Sequence, residues 1–178
     1  MRAKKKLDWA IEKFGLAVEG KICADFGSAT GGFVQSLLNH GASKVYAVEV
    51  GYGVLAWDLQ KDRRVVVRER TNALWVKLPE KVDLITIDVS WTKQEKVLPN
   101  ARRNLKEGGG VVSLIKPHYE TGKAVLSGQE AKRVLEETIR RIVTLGWEVE
   151  GVTESPVVGK KGGNREYLVL WRNAKMKQ

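Results

Sequence analysis

A chain of 178 residues with 43% hydrophobic content is long enough for one domain with an ordinary core, and no apolar run approaches the roughly 18–20 residues of a membrane span. Cys23 is the single cysteine, which excludes an internal disulfide, and two histidines without Cys/His spacing argue against a metal site. The 31 Lys and Arg against 21 Asp and Glu, a formal net charge of +10, point to a polyanionic partner.

Helical and strand patterns alternate along the chain. A helix is expected over about Lys4–Phe14, then a strand at Lys21–Ala24 and a helix at Gly32–Asn39 that Gly41 ends. A strand at Lys44–Val48, a short helix around Leu55–Gln60 and a strand at Arg64–Arg68 follow, and Val82–Ile87 reads as a buried central strand. Thr92-Lys-Gln-Glu95 has the spacing of a capping box opening a helix to about Asn104, with Gly108–Gly110 as the turn after it and Val111–Ile115 as the next strand. Ser127-Gly-Gln-Glu130 is a second such box; Ala131, Leu135, Ile139, Ile142 and Val143 give its helix an apolar face, and Gly146 closes it. Strands at Glu148–Val152 and Tyr167–Trp171 are joined by a helix-free loop, Thr153 to Arg165, so the last strand is expected to run antiparallel. The reading is an α/β fold with a mainly parallel sheet, one domain over 1–178, basic tails at 1–5 and 173–178, and a cytoplasmic location.

The most specific stretch is Asp25-Phe-Gly-Ser-Ala-Thr-Gly-Gly-Phe33, set between the apolar run Ile22–Ala24 and the amphipathic pattern that begins at Phe33. A strand, a glycine turn and a helix in that order hold small cofactors at the carboxyl end of a parallel sheet. Gly27, Gly31 and Gly32 are expected to let the backbone approach a ligand, and the helix start offers unpaired N–H groups. The spelling fails the dinucleotide fingerprint, because Ser28 and Ala29 follow Gly27, and fails the P-loop, because Phe33 follows Gly32. A second acid, Glu49, ends the next strand, where it is placed to accept from both hydroxyls of an adenosine ribose. This pattern resembles motif I and the following acidic loop of S-adenosylmethionine-dependent methyltransferases. The resemblance implies S-adenosylmethionine as cofactor, held by Asp25, Gly27, Ser28, Gly31, Gly32, Phe33, Glu49, Val50, Asn72 and Asp88. It also implies the class I arrangement, a Rossmann-like seven-stranded sheet with helices on both faces and an antiparallel last strand.

Charged residues stand at the ends of further elements. Asp88 ends one strand, Lys116 ends another before Pro117, Glu166 begins the last strand, and Lys6 sits in the first helix. The carboxyl ends of neighbouring parallel strands open on the same crevice as the cofactor loop, so Asp88 and Lys116 are expected near the reacting methyl, and an antiparallel last strand brings Glu166 to the same end. Phe33, Tyr52 and Trp91 are candidates to stack on a splayed base, to pack on the adenine or to fill the core.

Lys6, Asp88, Lys116 and Glu166 resemble the catalytic tetrad of the FtsJ-type ribose 2'-O-methyltransferases. The wording around them is similar to the haemolysin A (TlyA) branch, in Val45–Gly53, Glu69–Asn72, Asp83–Ser90, Leu114–Pro117, Glu120-x-Gly122, and Ser155-Pro156 with Gly159–Glu166. The resemblance implies methyl transfer to a ribose 2'-hydroxyl of RNA, ribosomal RNA in particular, with Lys116 as general base or as cationic stabiliser. It departs from the branch in three ways: the S4-type RNA-binding domain expected ahead of residue 1 is absent from this sequence, the Ser-Arg-Gly-Gly lead-in to the first lysine is Met1-Arg-Ala-Lys4, and the ribose acid, usually Asp, is Glu49. Arg2, Lys4, Lys5, Lys160, Lys161 and Arg165 are the candidate phosphate contacts. An RNA-binding protein that keeps this fold without turnover is the alternative.

Overall fold

The computed structural model describes residues 1–160 and 162–174. Strands β1 (Ile22–Phe26), β2 (Lys44–Val48), β3 (Val65–Arg68), β4 (Val82–Ile87), β5 (Leu105–Ile115), β6 (Trp147–Glu154) and β7 (Tyr167–Asn173) form one sheet in the order β3-β2-β1-β4-β5-β7-β6. Every neighbouring pair runs parallel except those of β7, which is antiparallel to both β5 and β6. The helices are α1 (Arg2–Phe14), α2 (Gly32–Asn39), α3 (Trp57–Lys61), α4 (Gln94–Asn104), α5 (Pro117–Thr121) and α6 (Gly128–Thr144).

Successive strand residues point to opposite faces, which splits the core in two. On one face Cys23, Ala47, Leu84 and Leu168 pack with Leu7 of α1, Leu37 of α2 and Leu59 of α3. On the other, Phe26, Ile85, Val111 and Val169 pack with Leu98 of α4 and Leu135 of α6. Both faces are covered by helices, and the central strands are accordingly apolar on both sides. The seven-stranded Rossmann-like architecture expected from the sequence is therefore the one observed.

Several local expectations change. Residues 2–5 are not a tail but the first turn of α1, whose buried stripe is Lys6, Leu7, Ala10 and Ile11. At the other end Asn173 still belongs to β7, and residues 175–178 lie outside the described residues. Asp25 is part of β1 rather than of the turn. Thr92 does not cap α4: its hydroxyl donates to Ser90 O, and the Gln94 N–H at the helix start donates instead to Glu120 Oε1 at 3.1 Å. Gly108–Gly110 is not a free turn, because β5 begins at Leu105 and reaches Gly110 through an irregularity in its pairing with β4. The Ser127 box does form, with both reciprocal hydrogen bonds, although Val143 is left exposed while Val134 and Thr138 take buried places on α6. The helix α5 was not anticipated; Pro117 at its first position was the available signal.

Candidate active site

The turn after β1 brings two backbones into close contact. Gly27 has φ +85°, and a Cβ built there would stand 2.4 Å from the carbonyl oxygen of Asp88, at the end of β4. No other residue fits, so β1 and β4 leave the sheet almost touching. A cavity of about 250 Å³ opens beside them, lined by Gly27, Ala29, Glu49, Val50, Asn72 and Asp88 among others. Glu49 is fixed by two backbone donors, Ala29 N–H on Oε2 at 2.8 Å and Gly51 N–H on Oε1 at 2.9 Å. Each oxygen keeps a second lone pair for a hydroxyl. Asn72 accepts from Leu74 N–H through Oδ1, which leaves its amide group as a donor. These groups suit an adenosine, so the residues present fit the cofactor that the sequence resemblance implies.

Asp25 lies beneath this cavity, 1% exposed, with Oδ1 accepting from the Thr86 hydroxyl at 2.7 Å and Oδ2 without a protein partner. Burial pushes its carboxyl up to about 8, with Asp88 and Glu49 adding like-charge repulsion against the Thr86 hydrogen bond. The folded value is raised above the unfolded one of 3.8. Its stabilising contribution is therefore full below about pH 4 and is lost as pH rises towards about 8. Asp25→Asn, uncharged throughout, is expected to gain thermal stability over the parent across that window, by at most about 1.4 kcal/mol per pH unit, with no further gain above it. Thermal melts at successive pH values check this; a constant offset would contradict it.

Asp88 also lines a second, larger cavity of about 770 Å³, together with Lys6, Lys116 and Glu166. Lys116 Nζ stands 2.5 Å from Asp88 Oδ1, and Lys6 Nζ donates to Glu166 Oε2. Four charged residues thus form two lysine–carboxylate pairs around one space. Their positions follow from packing. Gly32 lets α1 lie against α2, since a Cβ there would come within 2.6 Å of Ala3 Cβ, and this lays Lys6 over the sheet towards the start of β7. Lys116 immediately follows β5, whose last residue Ile115 is in register with Tyr167, and this brings Glu166 alongside.

The sequence matches the FtsJ-like methyltransferase family across residues 1–173. The chain belongs to the FtsJ-like methyltransferase family. It is 42% identical to the 16S/23S rRNA (cytidine-2'-O)-methyltransferase TlyA of Mycobacterium tuberculosis over 96% of this chain and 66% of that protein. It is 38% identical to Hemolysin A of Brachyspira hyodysenteriae, over 94% of this chain and 74% of the other. The chain thus spans just under two thirds of the length of its M. tuberculosis relative. A Lactococcus lactis protein called a hemolysin superposes with TM-score 0.90 at 35% identity, covering 96% of this chain and 86% of that one. The fibrillarin of Aeropyrum pernix, crystallised with natively bound S-adenosyl-L-methionine, shares the fold at TM-score 0.70 and 21% identity, covering 96% and 76%.

Within this FtsJ-like chain the remaining expected site residues divide. A Cβ on Gly31 would meet Leu59 and Leu55 and one on Gly32 would meet Ala3, so packing alone already requires glycine at both positions. Phe33 is 2% exposed and belongs to the core, so its ring is not offered for stacking. Ser28 is buried with its hydroxyl lacking a protein partner. Arg2 and Lys160 line the larger cavity, and Arg2 Nη2 donates to Val158 O at 2.6 Å. Lys4 is engaged by Asp8 at 2.6 Å, Arg165 pairs with Glu154 at 3.2 Å, and Lys5 is exposed. Lys161 lies outside the described residues.

The sequence reading missed His118 and Tyr119, both of which line the larger cavity. Trp91, 68% exposed and in the left-handed region at φ +53°, stacks on Tyr119 at 4.2 Å, and Lys116 Nζ lies 5.1 Å from the same Tyr119 ring. Burial pushes the His118 imidazole below its ordinary value, opposed by Glu166 and reinforced by Lys116.

Proposed function

We propose that this chain is an S-adenosylmethionine-dependent methyltransferase that acts on a ribose 2'-hydroxyl of RNA, with ribosomal RNA as the substrate class. The observation that carries the reading is the double exposure of Asp88, which lines both the small cavity fit for an adenosine and the large one ringed by Lys6, Lys116 and Glu166. A donor in the first cavity and a hydroxyl in the second would meet at Asp88. S-adenosylmethionine supplies a methyl already activated on a sulfonium, so the protein's task is alignment and charge.

In this reading the Lys116 ammonium, held by Asp88, hydrogen-bonds the 2'-oxygen and keeps it in line with the incoming methyl. Formation of the C–O bond would be matched by cleavage of the methyl–sulfur bond, leaving the cofactor as a neutral thioether, and the hydroxyl proton, made strongly acidic, would pass to the Asp88 carboxylate or through it to solvent. Lys6 and Glu166 form the opposite wall, and their pairing keeps a second positive centre near the oxygen without leaving a bare charge in a half-dry space. Trp91 on Tyr119 offers a base shelf beside Lys116. The net charge of +10 and the presence of Arg2 and Lys160 at the rim support a polyanion as the acceptor.

Ribose-methylation mapping of ribosomal RNA with and without the chain tests the proposal. A 2'-O-methyl that appears only with active protein is expected; no change at any ribose would end it.

A further inference from the structure

Outside both cavities, the segment from β2 through the residues after β3 exposes aromatic side chains that a solvated surface does not require. Tyr52 is 72% exposed, Trp57 68% and Trp75 76%. Two of these rings carry a cation: Arg70 lies 4.6 Å from the centre of Tyr52, and Lys61 Nζ lies 4.1 Å from that of Trp57. Arg70 holds a left-handed backbone, φ +50°, and its N–H donates to Gly51 O at 3.1 Å, so a strained residue is kept where its guanidinium meets Tyr52. Among the exposed charges of residues 50–77, Lys61, Arg63, Arg64, Arg70 and Lys77 stand against Asp58.

This face is joined to the acceptor cavity. Ala56 N–H, just before Trp57, donates to the carbonyl of Thr30 at 3.3 Å, and Thr30 lines that cavity. A strand leaving the acceptor cavity over Thr30 would run onto the loop that carries Tyr52 and the start of α3, where Trp57 stands. We infer that this face is a second RNA-binding surface, on which unpaired bases stack against Tyr52 and Trp57 while Lys61, Arg63 and Arg70 take phosphates. The combination of rings for base faces and cations for the backbone is what a single strand requires, whatever its sequence. The inference rests on the reading above that the acceptor is RNA.

The test uses the full chain and a fluorescein-labelled, mixed-sequence RNA hairpin with a single-stranded extension, followed by fluorescence anisotropy over a salt series. Trp57→Ala and Tyr52→Ala are each expected to weaken binding by about tenfold and to leave the salt slope unchanged, because stacking releases no counterions. Trp57→Phe is expected to retain most of the affinity. Arg70→Gln should lower the slope of log K against log salt by about one. Binding of S-adenosylmethionine by Trp57→Ala serves as the control for folding and should match the parent. RNA affinities within about twofold of the parent for both alanine variants would overturn the inference. So would a Trp57→Ala defect in binding a ribosomal protein with RNA binding intact, since the face would then be a protein interface. Failure of the catalytic reading shows elsewhere: the parent would transfer no methyl to ribose while these affinity differences persisted.

Discussion

Lys116→Ala is expected to lower methyl transfer by about a hundredfold to ten-thousandfold while leaving the affinities for S-adenosylmethionine and RNA close to those of the parent. The small cavity is lined by Gly27, Ala29, Glu49, Asn72 and Asp88, and of these Asp88 alone meets the Lys116 side chain, through its carboxylate. Removing the ammonium takes away the group proposed to meet the 2'-oxygen but leaves the Asp88 backbone in place just after β4, where Phe26 O accepts its N–H at 3.0 Å. The loss should therefore appear in kcat. Asp88→Asn should show a comparable loss, and the double variant little more than either, because the 2.5 Å pair acts as one unit. Single-turnover transfer of labelled methyl, with cofactor titration by calorimetry, measures both parts. A variant that bound S-adenosylmethionine poorly and then turned over normally at saturation would assign Lys116 to the wrong cavity.

The second large effect concerns stability. The Lys6 and Glu166 side chains are 11% and 5% exposed, so each ion depends on the other for its solvation. Glu166→Ala leaves the ammonium buried and unpaired, and a loss of about 3–5 kcal/mol is expected. For a chain of this length that lowers the melting temperature by roughly 10 °C. Lys6→Met combined with Glu166→Leu replaces both ions by apolar groups of similar size and is expected to recover most of that stability, since a buried pair contributes little net energy over a packed hydrophobe. It should recover no methyl transfer. Calorimetric melting beside the transfer assay separates the two roles; a double variant as unstable as Glu166→Ala would mean that the pair holds the fold together and is not retained for the site.

How much of this was legible in the sequence depends on the range of the interaction that decides each feature. The bounds of α2, β2 and β4 are set by local patterns, an apolar stripe or a buried run closed by a turn, and were read correctly. The start of α4 was not, because its N–H partner is Glu120, 26 residues away, while Thr92 had the right spacing and turned to Ser90. Gly108–Gly110 looked like a turn because nothing local shows that the Arg172 guanidinium of β7 lies against Gly110. In the site, strand ends announced Asp88, Lys116 and Glu166. The two uses of glycine were indistinguishable, however: Gly27 opens the backbone contact with Asp88, whereas Gly32 admits α1. Phe33 shows the same limit, since an aromatic beside a glycine turn reads alike whether it stacks on a ligand or fills a core.

The long reach of the Lys6–Glu166 contact, 160 residues, sets an order of events. The cavity fit for the adenosine is lined by residues between 27 and 92, on parallel strands β1 to β3 and on β4, which crosses back to pair with β1. The acceptor cavity is not so confined: it needs Met1–Ala3 and Lys6 from one end and Val158–Lys160 and Glu166 from the other, and β7 must slide between β5 and β6 before Glu166 arrives. Non-local closures of this kind come late in folding, after loop entropy has been overcome. A chain still emerging from synthesis would thus acquire its donor cavity first and its acceptor cavity last. On the proposed reading, competence to modify RNA would begin only when the final strand has found its place.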